Sequence, residues 1–440
     1  MLAAKTRLVF DASRVDKIIQ SFLSTLKKLI ESMSDLTVTP DEVPEWLTSD
    51  FFRDTLSLTE SFIIRKIKYA CERGENFASK IYRVVLSFPN NDKSYIVKSR
   101  PIGNGFAEEF TKKFCIFPKE IEMYTHVDKF ENIFHEIGFD IGFAPKCIGV
   151  KYTPTDILII EDMNAKGFKT ARKSDGLKQP EMEFVLKKLA QFHAASAVHC
   201  ERNGSFDEKF SRGIYNSDMK EIFDQSYDFN ISLIINEFFS KWPTLDKRII
   251  EKMKNWRDFT LDELIRTMKP KPDEFSCLNH GDMWISNILF QYDSNGNVKD
   301  CQFIDFQQCV FTSPAIDLLN LIFTSAETET KLQNFEGFVK IYHGHLVDAL
   351  KVLGYNKTIP TLKWLYLDIL DRAFLAVWNS IATLPMCLAE NIKESSSDNL
   401  LGENEEGKNF KEKIYNNERY RKHLTELLNY FDNRGLVDLC

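Results

Sequence analysis

Two polar segments on either side of a strong turn signal constrain the fold of this chain more than any other feature. The first, residues 280–287, reads H-G-D-M-W-I-S-N, and the second, residues 304–306, reads I-D-F. Between them, two runs rich in β-branched and aromatic residues are joined by Ser-Asn-Gly-Asn, which predicts a β-hairpin. Pairing about this turn places Asn287 nearly opposite Asp305 at the open end of the hairpin.

These residue types suit phosphoryl transfer. An amide oxygen and a carboxylate side by side are hard-oxygen ligands for Mg²⁺, which predicts Asn287 and Asp305 as metal ligands. Asp282, in the loop before the first strand, can accept the proton of an incoming hydroxyl as a catalytic base, or orient that hydroxyl. Protein kinases share this order of Asp, Asn and Asp, although this chain has H-G-D for H-R-D and D-F-Q for D-F-G. The alternative is a polar surface loop beside an ordinary hairpin.

A lysine and a glutamate complete the expected phosphate site. Lys98 ends the strand Tyr95-Ile96-Val97-Lys98, which is analogous to the V-A-I-K strand whose lysine contacts the α- and β-phosphates of ATP. A lysine at the end of a strand is otherwise a solvated edge residue. A kinase needs a helical glutamate to hold this lysine, and Glu120 is preferred, with Glu108, Glu109 and Glu122 as competitors.

Two further nucleotide contacts are expected. No G-x-G-x-x-G precedes Lys98, but residues 73–79 read R-G-E-N-F-A-S, so one glycine turn and Ser79 could face phosphates. An ordinary turn between strands explains this segment equally well. Glu161 and Met163 follow the apolar run Asp156–Ile160, where a kinase hinge would bind adenine, and the alternative there is simply the end of a strand.

The pattern along the chain predicts an α+β protein with a small N-terminal lobe at residues 1–163 and a mainly helical lobe at residues 164–440. Strand-like runs concentrate before about residue 165, and helical periodicity dominates afterwards apart from the hairpin. Helices are expected at Val15–Met33, Phe106–Val127, Glu183–Val198 and Trp364–Leu384, a hairpin at Lys80–Lys98, and a mobile polar loop at Lys393–Lys413.

Composition excludes several classes of protein. The chain has 440 residues, 43% apolar content and a net charge of −7, so it can build a large core and lacks the basic character of a nucleic-acid binder. Its nine cysteines include no C-x-x-C pair, which argues against zinc and favours reduced thiols in the cytoplasm. Residues 1–10 contain no apolar run of the length expected in a signal peptide, and the most apolar predicted helix, at 364–384, carries three charges. We therefore expect a cytoplasmic protein with no membrane segment and no obligate protein partner.

These motifs together resemble the ecdysteroid-kinase-like family, in the choline-kinase and aminoglycoside-phosphotransferase branch of the protein-kinase-like fold. The resemblance is carried by H-G-D-M-W-I-S-N, I-D-F-Q, G-E-N-F-A-S, I-V-K-S-R-P, F-P-K-E-I-E-M-Y, I-I-E-D-M and L-A-Q-F-H-A-A-S. It implies a two-lobed kinase fold, ATP and Mg²⁺ as cofactors, and Asp282 as catalytic base. It also implies Asn287 and Asp305 as metal ligands, Lys98 and Glu120 as the phosphate-binding pair, and a hinge at Glu161–Met163.

The resemblance implies a hydroxylated small-molecule acceptor, such as an ecdysteroid or a foreign compound. Trp364, Tyr366, Phe374 and Trp378 could line an apolar acceptor pocket, or could simply pack in the core. A protein kinase is disfavoured because no A-P-E segment follows Asp305. A catalytically silent pseudokinase that binds a ligand or a partner is the remaining alternative.

Overall fold

The structure is a computed structural model that describes residues 43–70, 79–102, 111–218, 220, 229–389, 399 and 404–438. The amphipathic helix predicted at Val15–Met33 and the glycine turn at residues 73–78 lie outside the described residues. Within the described parts of the chain, no helix combines the length and apolar character that crossing a bilayer requires.

A five-stranded sheet occupies the N-terminal part of the chain. Its strands are β1 (Ile63–Tyr69), β2 (Lys80–Ser87), β3 (Asp92–Ser99), β4 (Cys147–Lys151) and β5 (Ile157–Glu161). They lie in the order β1-β2-β3-β5-β4, with β1 antiparallel to β2 and β4 antiparallel to β5. The hairpin predicted at Lys80–Lys98 is confirmed as β2 and β3, whose turn is closed by the Phe88 N–H donating to the Asn91 carbonyl at 2.9 Å.

The remainder of the chain is mostly helical, so the predicted α+β class is confirmed. The helices are α1 (Ser49–Leu56), α2 (Ile116–His135), α3 (Gln179–Asn203), α4 (Lys247–Met253), α5 (Thr260–Met268), α6 (Ala315–Ser325), α7 (Thr328–Val352), α8 (Leu362–Asp371), α9 (Phe374–Ala382), α10 (Leu384–Leu388), α11 (Glu405–Tyr415) and α12 (Glu418–Asp432). Small sheets interrupt them, with strands β6 (Lys169–Thr170), β7 (Cys277–Asn279), β8 (Ile288–Tyr292), β9 (Val298–Phe303) and β10 (Val310–Thr312). Their orders are β6-β8-β9 and β10-β7.

The described residues form two compact units. The first contains the described residues up to 70 together with 81–96, and the second contains 79–80 and the described residues from 97 onward. In the first unit, the Thr48 hydroxyl caps α1 by accepting from the Phe51 N–H at 3.2 Å, and Phe51 and Phe52 are buried. The candidate site residues Ser79, Lys98 and those beyond belong to the second unit. The lobe boundary expected at residue 163 stays a prediction.

Helix α2 starts later and ends later than the helix predicted at Phe106–Val127. Residues 111–113 are helical, but the chain leaves the helix at Phe114 and Cys115, where Cys115 has φ +50°. The new helix then begins at Ile116 with Pro118 in its first turn, where the missing N–H is tolerated. Residues 106–110 lie outside the described residues.

Helix α3 confirms the helix predicted at Glu183–Val198 and runs through the core of the second unit. Pro180 lies in its first turn, the Glu181 carboxylate accepts from the Lys178 N–H at 2.9 Å, and Gly204 with φ +90° ends it. Buried Phe192 and His193 lie on this helix. Strand β5 is also buried at every apolar position from Ile157 to Ile160, and each of these side chains contributes about 1.5–3 kcal/mol.

The single helix predicted at Trp364–Leu384 is wrong in one respect, because the chain breaks it into α8, α9 and α10. The break between α8 and α9 falls at Arg372, which is 1% exposed. Its guanidinium donates to the carbonyls of Thr267 at 3.1 Å and Lys269 at 3.2 Å and pairs with Glu274 at 2.9 Å. These distant partners outweigh the local helical preference of the segment.

The polar segment predicted as a mobile loop at Lys393–Lys413 is helical in its second half. The Asn404 side chain caps α11 by accepting from the Gly407 N–H at 2.8 Å, and Phe410 and Ile414 are buried. The apolar residues of this segment therefore form one buried face of a helix, which the high charge content concealed.

Several of the cysteines lie in the protein core. Each cysteine in the described residues is unpaired, and four of them, Cys277, Cys301, Cys309 and Cys387, are buried. They act as small apolar side chains in the core.

Candidate functional site

The hairpin of β8 and β9 brings the two polar segments together. Ile288 pairs with Phe303, and the Ile304 N–H donates to the Asn287 carbonyl at 3.0 Å. Its turn is held by the Asp293 carboxylate, which accepts from the main chain of Asn295 at 2.9 Å and of Asn297 at 2.8 Å. Asn287 and Asp305 therefore flank the open end of one ladder, as the register predicted.

Asn287 fixes the position of Asp282. Its amide Nδ2 donates to the Asp282 main-chain carbonyl at 2.8 Å and to the Asp282 carboxylate at 3.1 Å. Both bonds use the nitrogen, so the amide oxygen of Asn287 is left for another partner. The candidate base and a candidate metal ligand thus form one rigid unit.

The Asp282 carboxyl has an unusual proton affinity. Burial and then the charge of Asp305 raise its pKa to about 7, against the lowering effect of hydrogen bonds from Asn287 and Trp284. A carboxyl that titrates near neutral pH is well matched to proton transfer at that pH.

Lys98 and Glu120 form a buried ion pair. Lys98 is 4% exposed and Glu120 is 1% exposed, and the Lys98 ammonium lies 2.9 Å from Oε1 and 2.7 Å from Oε2 of Glu120. Burial lowers the pKa of Lys98, but the charges of Asp305 and Glu120 outweigh burial and raise it above its ordinary value. Burial raises the pKa of Glu120, while the charge of Lys98 opposes that shift.

The competing glutamates are not equivalent to Glu120. Glu122 pairs with Lys209 at 2.5 Å and with His126 at 3.3 Å. Glu108 and Glu109 lie outside the described residues.

Asp305 links the ion pair to the hairpin. One of its carboxylate oxygens, Oδ1, contacts the Lys98 ammonium, and the other, Oδ2, accepts from the Gln307 amide at 3.2 Å. Asp305 has φ +71°, which turns the chain out of β9 and into the short 3₁₀ helix Phe306–Gln308. The structure therefore brings five predicted site residues together: Lys98, Glu120, Asp282, Asn287 and Asp305.

His280 braces the loop at residues 280–287 against β9. Its Nε2 donates to the Ile304 carbonyl at 2.9 Å, and its Nδ1 accepts from the Asp282 N–H at 3.4 Å. Burial lowers the pKa of His280, which favours the neutral ring that this pair of bonds requires. The H-G-D motif signals this histidine, but sequence reasoning had given it no role.

Asp317 holds residues 280 and 281 from the other side. Its fully buried carboxylate accepts from the His280 N–H at 2.7 Å and from the Gly281 N–H at 2.8 Å. His193 on α3 donates to the same carboxylate at 3.1 Å and contacts the Tyr342 hydroxyl at 2.7 Å. Nothing in the sequence signals this link between His193 and Asp317.

Gly281 is required by its surroundings. It has φ +79°, and a Cβ atom at this position would lie 2.1 Å from the Gln308 carbonyl. The departure from H-R-D to H-G-D follows from this close approach, because only glycine fits both constraints.

Phe306 anchors the segment after Asp305 in an aromatic cluster. Its ring centroid lies 5.6 Å from that of Tyr124 on α2, 5.0 Å from that of His280 and 6.2 Å from that of Phe192. Packing of these rings ties the segment after Asp305 to the helix that carries Glu120.

The residues predicted to form the hinge follow β5, and their contacts within the described residues do not indicate a role in binding adenine. Glu161 pairs with Lys166 at 2.7 Å, Met163 is 3% exposed, and Asp162 caps a 3₁₀ helix at Met163–Lys166. Ser79 lies immediately before β2 and is half-buried. The nucleotide roles of Glu161, Met163 and Ser79 remain predictions.

The four aromatic residues considered for an acceptor pocket have protein partners. Trp378 donates to the Tyr215 hydroxyl at 2.9 Å, and Phe374 packs edge-on against Trp256 at 5.4 Å. Tyr366 donates to the Glu336 carbonyl at 3.0 Å, and Trp364 packs near Phe275 at 6.3 Å. Phe374 and Trp378 are buried, which agrees with core packing, the alternative raised from the sequence, whereas Trp364 and Tyr366 are half-buried.

The residues present fit a divalent cation. Among the described residues, no three His, Cys, Asp or Glu side chains form a metal-binding cluster. Mg²⁺, however, is commonly held by one or two protein oxygens together with phosphates and water. The charge of Asp305 raises the pKa of Asp282, and a bound cation would relieve that repulsion.

This fold and this arrangement of side chains are those of a small-molecule kinase-like protein. The chain belongs to the ecdysteroid kinase-like family, whose family model matches residues 73–355, more than half of its 440 residues. The resemblance read from the motifs is thereby confirmed.

One solved structure and the curated proteins complete the comparison. The ethanolamine kinase of Plasmodium vivax is similar at 13% identity and a TM-score of 0.41, covering 84% of this chain and 83% of its own. No significant match was found among the curated proteins. The family assignment rests on the family match alone.

Proposed function

We propose that this protein is an ATP-dependent small-molecule kinase that phosphorylates a hydroxyl group of an ecdysteroid-like or other hydroxylated metabolite or foreign compound. The observation that carries the proposal is the convergence of Asp282, Asn287 and Asp305 with the buried Lys98–Glu120 pair. The name of the family supports the acceptor class.

Each residue has a distinct role in the proposed reaction. Lys98, oriented by Glu120, binds the α- and β-phosphates, with Ser79 as a further phosphate contact and Glu161 to Met163 as the adenine-binding segment. Asn287 and Asp305 hold Mg²⁺, which supplies charge neutralisation to the phosphates when bound.

Asp282 handles the proton in the transfer step. The acceptor oxygen forms a bond to the γ-phosphorus, the bond from that phosphorus to the β–γ bridging oxygen breaks, and ADP leaves. The hydroxyl proton passes to the Asp282 carboxylate. With a pKa near 7, this carboxyl can take up the proton and release it again to solvent after each turnover.

The experiment is incubation of the purified protein with Mg·ATP and single acceptors. The panel contains ecdysteroids, hydroxylated plant compounds, choline and ethanolamine, and the products are read by mass for one added phosphate. Phosphorylation of an ecdysteroid or plant compound that is absent with Asp282→Asn protein supports the proposal. Binding of Mg·ATP without transfer to any acceptor would instead favour a silent binding module.

A further inference from the structure

Gln307 is a buried amide whose two ends have different surroundings. It lies in the 3₁₀ helix Phe306–Gln308 and is 8% exposed. Its nitrogen Nε2 donates to Asp305 Oδ2 at 3.2 Å. Because Lys98 holds Asp305 Oδ1, both carboxylate oxygens of Asp305 have a donor.

The other end of this amide, the oxygen Oε1, is buried as well. No donor among the described residues reaches the buried Gln307 Oε1. Rotating the amide by half a turn would not solve this, because it would place Oε1 against the Asp305 carboxylate. A buried acceptor without a donor is unfavourable, so we expect a donor that is not among the described residues to complete the site.

A hydrated divalent cation is the donor source that fits these surroundings. Small divalent cations keep several waters when only one or two protein oxygens bind them, and those waters donate strongly. Asn287 and Asp305, the proposed cation ligands, leave such waters in place. A glutamate at 307 would add a third carboxylate beside Asp305 and Asp282, whereas glutamine offers a donor and an acceptor without charge.

We propose that Gln307 is a positioning residue for the cation that accompanies the nucleotide: Nε2 orients Asp305, and Oε1 accepts a hydrogen bond from a water carried by the cation. This inference rests on the proposed function. It assigns a role to the residue by which D-F-Q departs from D-F-G.

The test measures cation binding rather than turnover. Wild-type protein, Gln307→Leu and the neighbouring control Gln308→Leu are titrated with Mn²⁺ in the presence of a non-hydrolysable ATP analogue, and free Mn²⁺ is followed by electron paramagnetic resonance. Gln307→Leu should weaken Mn²⁺ binding about 10–100-fold, the usual effect of removing a group that orients a metal ligand. Gln308→Leu should leave Mn²⁺ affinity within about twofold, since Gln308 is half-buried and its side chain has no role in the proposal.

A second variant keeps the question open to test if Gln307→Leu does not fold. Gln307→Glu loses the donor, keeps the acceptor and adds a third carboxylate beside Asp305 and Asp282. Because a bound cation relieves the repulsion between these carboxylates, Mn²⁺ should raise the Tm of this variant more than that of wild-type protein.

The outcomes separate this inference from the proposed function. If Gln307→Leu binds Mn²⁺ as wild-type protein does, or if Mn²⁺ stabilises Gln307→Glu no more than wild type, the role of Gln307 is refuted while the proposed function stands. If wild-type protein binds neither Mn²⁺ nor the nucleotide analogue, both are refuted.

Discussion

The Asn287 amide donates to Asp282 twice, once at 2.8 Å to its main chain and once at 3.1 Å to its carboxylate. The second bond also orients the carboxylate that is proposed to receive the proton. An asparagine at 282 would still accept from Asn287 but could not take up a proton. Replacing Asp282 with asparagine therefore removes proton transfer while it keeps the hydrogen bond that positions the side chain.

Asp282→Asn should therefore keep nucleotide binding and lose turnover. We expect kcat to fall by about 10²–10⁴, the usual contribution of a positioned general base. Titration calorimetry with a non-hydrolysable ATP analogue and a steady-state assay measure the two quantities. The exposed Asp140→Asn serves as control. Near-normal kcat in the Asp282→Asn protein would show that another group takes the proton.

Activity should depend on pH through Asp282. Its pKa is raised to about 7 by burial and by Asp305, so the carboxylate form is lost as pH falls through that value. We expect kcat/KM to rise with pH and reach a plateau above about pH 8, where the carboxylate form dominates. A pH profile of kcat/KM measures this, and a flat profile on both sides of neutrality would contradict it.

Glu120→Gln should disturb the lysine site more than the same change two residues away. It removes the charge that faces Lys98 in a buried pair, and we expect a loss of about 1–3 kcal/mol in the free energy of unfolding, with weaker ATP binding. Glu122 is partly exposed and pairs with Lys209, so Glu122→Gln should cost less than about 1 kcal/mol. Urea unfolding and ATP titration compare the two. Equal effects would indicate a general weakening of α2 rather than a specific role for Glu120.

Two glycines with similar backbone angles allow strain and contact to be separated. Gly281 and Gly296 have φ of +79° and +84°, but only Gly281 has an atom within 4 Å of the position of a Cβ, the Gln308 carbonyl at 2.1 Å. Gly296→Ala should lose about 1–2 kcal/mol of stability and keep activity. Gly281→Ala should lose more than about 4 kcal/mol, or fold with a displaced loop and little activity. Thermal unfolding with a kinase assay measures both, and similar effects of the two would argue against the close contact.

Lys331 predicts a specific pH dependence of stability. It is 1% exposed, and its ammonium donates to the Phe323 carbonyl at 2.8 Å near the end of α6. Burial lowers its pKa from 10.5 to about 7. Between those values the unfolded chain binds more protons, so stability should rise with pH across this window, by at most about 1.4 kcal/mol per pH unit.

Lys331→Met should remove this rise. The exposed Lys340→Met on the same helix is the matched control and should keep it. Urea unfolding from about pH 7 to pH 10 measures the slope, and a slope unchanged in Lys331→Met would assign the rise to other groups.

Local features were read correctly from the sequence. The hairpin that carries Asn287 and Asp305 follows from a turn and two short apolar runs, and its register follows from the position of the turn alone. Likewise, α3 and the β2–β3 hairpin each follow from periodicity within one segment. These predictions succeed because neighbours in the sequence supply most of the interactions that define them.

Contacts between distant segments could not be read in this way. Lys98 meets Asp305 across 207 positions, and His193 meets Asp317 across 124. The break at Arg372 also depends on partners far along the chain. The helix at Glu405–Tyr415 depends on a buried apolar face that the many charged residues of the segment conceal. Sequence periodicity contains no information about which buried polar groups will pair.

By itself, then, the sequence determined the chemical groups of the site and the ribbon that carries two of them, because a tight turn and its flanking strands are set by adjacent residues. Only the tertiary structure decided between Glu120, the residue preferred from the sequence, and its competitor Glu122 as the partner of Lys98. It alone showed that His193 contacts the Asp317 carboxylate that holds residues 280 and 281. Those choices depend on which buried donor and acceptor can satisfy each other once the helices have packed.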